Sequence, residues 1–101
     1  MFKPFYIHRN HVPGKMNSKF SRGFTLKVSP YPEDNKLALV QGTLCSPKDE
    51  FCRKDGRSQA DATKAEKINK RDIPRLLVQM SKSCGWDEST NDYNYVLKYF
   101  I

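Results

Sequence analysis

The chain has 101 residues, with 18 Lys and Arg against 11 Asp and Glu, a formal net charge of +7, three Cys, six Phe, five Tyr and one Trp. That length holds one small domain with little apolar surface to spare, and no run of about 18 apolar residues exists to cross a membrane as a helix. An odd cysteine count speaks against a secreted disulfide scaffold, and the N-terminus has no apolar block of the secretion-signal type, so the expectation is a cytoplasmic protein.

The charge is unevenly spread. Residues 1–30 carry Lys3, Arg9, Lys15, Lys19, Arg22 and Lys27 and no acid at all. Such a segment is costly to a compact state unless an anion lies near it, and nucleic acid is the commonest such partner. The bland alternative is that a basic surface merely keeps a small protein soluble. Residues 1–19 are broken by Pro4, Pro13 and Gly14 and show no period, so they read as an irregular basic arm ahead of a single domain over 20–101.

"FSRGFTLKVS" (20–29) alternates Phe24, Leu26 and Val28 against Thr25 and Lys27, the pattern of a half-buried strand. "PYPEDNK" (30–36) is a turn. "LALVQGTLC" (37–45) is a second strand, and the short connection makes the two antiparallel. Gly42 marks a bulge or a close backbone approach. Ser46-Pro47-Lys48-Asp49 then has the cap, the N-terminal proline and the acid of a helix start, with a stop at Gly56. Ser58–Asn69 reads as a helix with Ala60, Ala62, Ala65 and Ile68 inward and Lys64, Lys67 and Lys70 outward. Asp72 caps a further helix with Pro74 in its first turn, apolar positions at Ile73, Leu76, Leu77 and Met80, and an end at Cys84-Gly85. "NDYNYVLKYFI" (91–101) alternates and reads as a third strand. The expected fold is α+β: a small antiparallel sheet of about three strands, with two or three helices packed on one face.

Three chemistries compete for "TLCSPKDEFCRKDGR" (43–57). A metal site is disfavoured, because Cys45 and Cys52 are spaced C-x6-C and His8 and His11 are spaced H-x2-H, neither usual for zinc. Cys45, Cys52 and Cys84 are better explained as packed small apolar side chains. Catalysis is disfavoured too: His8 and His11 resemble a ribonuclease acid–base pair only in residue type, and no P-loop or dinucleotide motif is present. The third reading is phosphate binding, since Lys48, Arg53, Lys54 and Arg57 lie within ten residues and Arg offers a planar fork for phosphate. Asp49, Glu50 and Asp55 compete by offering these cations salt bridges. No helix-turn-helix, zinc finger or RNP signature appears, so binding is expected through the backbone and shape of the nucleic acid, with RNA or single strands favoured by the available tyrosines. The candidate contacts are Lys15, Lys19, Arg22, Lys48, Arg53, Lys54, Arg57 and Lys64, with no metal or cofactor.

Two short strands followed by Cys45-Ser46-Pro47-Lys48-Asp49, Phe51, Arg53-Lys54, Gly56-Arg57 and an alanine-bearing helix resemble a pattern in small accessory proteins of tailed bacteriophages. The resemblance covers about residues 24–70. It implies a host-takeover or counter-defence role in the host cytoplasm, including inhibition of a host toxin ribonuclease with RNA involved, and carries Lys48, Arg53, Lys54 and Arg57 over as contacts. The function expected is therefore a non-enzymatic, RNA-binding accessory protein that disables a host enzyme. The alternatives are a protein-interaction module for an acidic host protein, which needs no RNA, and a small ribonuclease using His8 and His11. Exposed strand edges in so small a sheet also leave room for a homo-oligomer.

Overall fold

A computed structural model describes residues 3–11, 21–46 and 52–86. They form strands β1 (Phe5–Asn10), β2 (Gly23–Pro30) and β3 (Leu37–Leu44), helix α1 (Arg53–Ala62), strand β4 (Glu66–Asn69), a 3-10 turn (Lys70–Asp72) and helix α2 (Ile73–Ser83). The four strands make one antiparallel sheet in the order β1-β2-β3-β4. The α+β class is as the sequence predicts. Among the described residues no helix is long and apolar enough to cross a membrane.

β2 is the centre of the sheet, and its alternation sorts the two faces. Phe24, Leu26 and Val28 share one face with Ile7 of β1 and with Ala38 and Val40 of β3, and Ile73, Leu77 and Cys84 close over them from α2. All are almost wholly removed from water, which stabilises the fold by about 1.5–3 kcal/mol for each Phe, Leu, Ile and Val among them. The other face carries Thr25 and Lys27 of β2 and Gln41 and Thr43 of β3, and α1 lies there. The helices thus cover opposite faces, not one face as expected. The reason lies in β2, which is buried on both sides and needs a cover for each.

Local signals explain α2. Asn69 Oδ1 accepts the Arg71 N–H at 3.1 Å, and Pro74 sits in the first turn, where its missing N–H is no loss. At the far end Gly85 has φ 91°, Trp86 N–H reaches the Ser81 carbonyl at 3.1 Å, and Gly85 N–H reaches the Lys82 carbonyl at 3.0 Å. This pair of bonds is the Schellman stop.

Three other expectations change. Residues 1–19 are not wholly irregular, because Phe5–Asn10 pairs with β2 along its length. The helix expected over Ser58–Asn69 is two elements: α1 begins at Arg53, runs through Gly56 and ends at Ala62, and Glu66–Asn69 pairs with β3. The helix stop expected at Gly56 is absent. The third strand expected at 91–101 lies outside the described residues, as does most of the helix start at 46–49.

Candidate nucleic-acid interface

α1 is a polar helix that lies close to the sheet because its inward residues are small. Gly56 and Ala60 are its buried positions. Gly56 sits directly on the Thr25 hydroxyl, so closely that a Cβ there has no room. Thr25 is fully buried, and its Oγ1 lies 2.8 Å from His8 Nδ1 on β1.

Polar bonds fix the helix on either side. Asp61 Oδ1 accepts the Tyr6 hydroxyl at 2.7 Å and Lys27 Nζ at 3.0 Å. These two partners hold the Asp61 carboxyl below the usual carboxylate range, the Tyr6 bond contributing most. The same contact raises Lys27. On the β3 side Thr43 Oγ1 donates to Gln59 Oε1 at 3.2 Å, and the Gln41 amide donates to the carbonyls of Asp61 at 3.3 Å and Thr63 at 2.9 Å.

This seating decides where the cations go. At about 100° per residue, Arg53, Arg57 and Asp61 form one row on α1, and Asp61 ties that row to Tyr6 on β1. Arg53 and Arg57 lie near His8: its pKa is lowered first by burial, then by Arg53 and by Arg57. Arg53, Lys54 and Arg57 are all exposed. Among the described residues none of the three makes an ion pair or a side-chain hydrogen bond. Among the described residues the carboxylates of α1 form no salt bridge with them: Asp61 bonds Lys27 and Tyr6 and feels Arg57 only at longer range, and Asp55 forms no ion pair. Of the three acids foreseen as competitors, Asp55 forms no salt bridge among the described residues, and Asp49 and Glu50 lie outside them. Tyr6 and His8 stand with parallel rings, centroids 6.2 Å apart and planes at 10°, beside this row.

The remaining predicted contacts divide. Arg22 is half-buried ahead of β2, where the neighbouring Ser21 N–H bonds the Ser83 carbonyl at 2.9 Å and Arg22 N–H bonds the Cys45 carbonyl at 3.2 Å. That is the end of the sheet from which the chain goes on to α1. Lys64 is exposed beyond the C-terminus of α1, at the rim of a groove of about 590 Å³ whose apolar wall includes Leu76 and Met80 of α2. The length of α1, about 15 Å at 1.5 Å per residue, separates it from Arg53. Lys15, Lys19 and Lys48 lie outside the described residues. Of the other early cations, Lys27 is paired with Asp61, and Arg9 is buried, its guanidinium 3.7 Å from the Trp86 ring centroid and donating to Ser81 Oγ at 3.2 Å. Lys27 and Arg9 are therefore engaged within the fold and do not add to the α1 row.

The histidines are not brought together. His8 bonds Thr25 on the α1 face, whereas His11 continues the β1–β2 ladder three positions on, with Nδ1 3.3 Å from the Arg22 carbonyl. Positions three apart in a strand point to opposite sides. No group of three or more metal-ligating side chains converges among the described residues. Cys84 is buried in the core, and burial pushes its thiol up to about 11 against the opposing influence of Arg9. It packs as a small apolar residue. Cys45 is half-buried just past β3, and Cys52, expected to face inward, is exposed as the N-cap of α1. Sequence reading missed His8 as a neighbour of the arginine row, because only the β1–β2 register places it opposite Thr25.

Comparison with known proteins returns no matching family, no similar curated protein and no similar solved structure.

Proposed function

We propose that this chain is a nucleic-acid-binding protein, RNA in the first place, which grips phosphates through α1 and does not act as an enzyme. The observation that carries the reading is the trio Arg53, Lys54 and Arg57, exposed on α1 and forming no ion pair among the described residues. Exposed guanidinium groups suit bidentate capture of phosphate oxygens. Lys64, Arg22, Lys15, Lys19 and Lys48 belong to the proposal as further contacts on sequence grounds. The phage-type resemblance adds the biological setting: an accessory factor that blocks a host enzyme or toxin.

Titration of a labelled single-stranded RNA at several salt concentrations tests this. Affinity is expected to fall linearly in log–log form, by about 0.7 per phosphate neutralised. Replacing Arg53, Lys54 and Arg57 together by Gln is expected to flatten that slope by about 2. Binding that is absent or indifferent to salt ends the proposal. A host protein retained after nuclease treatment would reassign the same cations to an acidic protein surface.

A further inference from the structure

We propose that the part of the sheet face left uncovered by α1 is a stacking platform for an unpaired base of the bound RNA, with Tyr31 as the ring and Lys67 as the cation beside it. This rests on the nucleic-acid reading of α1 and adds to it a second contact surface and a preference for single strands.

The register places the platform. The last turn of α1 lies over one row of the sheet, Tyr6, Lys27 and Gln41, through the bonds made by Asp61 and Thr63. On the same face β3 presents Leu39 and Leu37, both half-buried, and these pair with Lys67 and Asn69 of β4. Register partners share a face. The four steps from Gln41 to Leu37 span about 13 Å, so a partly apolar strip continues past the end of the helix. Tyr31, just past β2, brings its ring to this strip, with Lys67 Nζ 5.1 Å from the ring centroid.

The chemistry fits a base. Tyr31 is set by its hydroxyl, which donates to Glu33 Oε2 at 2.9 Å, and by the turn it opens, where Asp34 N–H bonds its carbonyl at 3.3 Å. A ring held in this way loses little freedom when a base stacks on it. Lys67 is exposed, and among the described residues it forms no ion pair. A base stack outweighs an exposed cation–π contact. The base therefore displaces the ammonium from the ring, and the mobile lysine is left for the adjoining phosphate. Continuity with α1 gives the strand its path: Arg53 and Arg57 share one row of the helix, Lys64 is exposed beyond its C-terminus, and the strip begins under its last turn. Helix and strip together measure about 28 Å, within reach of a single-strand site of ~4–16 nucleotides. Bases stacked and paired in a duplex cannot lie on such a ring, so the platform serves single strands.

The test uses the full chain and a labelled oligouridine carrying a fluorescent adenine analogue, moved along the strand. The wild type should quench the analogue at some position. Tyr31→Ala should lose that quenching and bind about tenfold more weakly, with its salt slope unchanged, since stacking on a ring releases no counterion. Tyr31→Phe, which keeps the ring, should behave as wild type. Lys67→Gln should lower the salt slope by about 0.7. A duplex of the same length should bind wild type and Tyr31→Ala equally. The Tyr31 ring resonances of the wild type, followed by NMR, should move upfield when oligouridine is added, a measurement that needs no variant. Unchanged single-strand affinity in Tyr31→Ala, equal losses in Tyr31→Ala and Tyr31→Phe, equal weakening on the duplex, or unmoved ring resonances overturn the platform, while salt-dependent binding leaves the α1 reading standing. Absence of oligouridine binding overturns both.

Discussion

At the residue scale the molecule turns on two close contacts. Gly56 is helical and has no positive φ, so what it supplies is absence of a side chain where α1 meets Thr25. Gly56→Ala should gain about 1 kcal/mol of helix propensity but lose more through displacement of α1, since overpacking costs about 1–3 kcal/mol. A lower urea midpoint, with weaker RNA binding, is the expected result. Arg9 is the second contact, stacked on Trp86 and bonded to Ser81 in a buried setting. Arg9→Lys keeps the charge and loses the planar stack, so a red shift of Trp86 emission and a loss of about 1 kcal/mol are expected. Two titrations act on free-protein stability in the same direction. Asp61 is depressed, so its contribution is present above its unfolded pKa and is lost as pH falls through the folded value. His8 is also depressed, and a base that resists protonation in the folded state destabilises it as pH drops below the unfolded pKa of about 6.5. Urea midpoints should therefore decline on acidification. Asp61→Asn should remove the more acidic part of the decline and His8→Asn the part nearer neutrality.

At the scale of elements, α2 and α1 are held in different ways. α2 is fixed by apolar burial, and Leu77, fully enclosed, should cost about 2–5 kcal/mol on replacement by Ala, read from thermal or urea unfolding. α1 buries only Gly56 and Ala60 and is held by polar ties at its edges. One of these, Gln41, also anchors the turn into β4 through the carbonyls of Asp61 and Thr63. Gln41→Ala should loosen residues 61–66, seen as faster amide exchange there, with little change in α2. The elements with a clear period were legible in advance: β2 by alternation, α2 by its spacing, its proline and its Gly85 stop. β1 and β4 were not. "FYIHRN" sits between prolines in an unpatterned stretch, and "EKIN" continues the lysine spacing of a helix. Each becomes a strand because a neighbouring strand offers it an open edge, which outweighs weak local preference.

At the scale of the whole molecule, the helices divide the chain into an apolar side and a basic polar side. One face of the sheet and α2 supply the core, and the other face holds α1 with its exposed cations. Salt should therefore act on the two sides unequally: it should weaken binding by the α1 row steeply and alter unfolding little, because the core cluster is built of apolar side chains whose burial is not screened. Net charge, the pairing of β2 with β3, and the extent of α2 were determined by the sequence alone, since each depends on composition or on residues a few positions apart. Tertiary structure decided which cations are available. Arg9, Lys27 and Arg53 are equally basic on the page, yet one is enclosed beside Trp86, one is paired with Asp61 and one faces solvent. Availability depends on what the rest of the chain brings within a few ångströms of each charge, and contacts of that kind join residues as distant as Arg9 and Ser81 or Lys27 and Asp61.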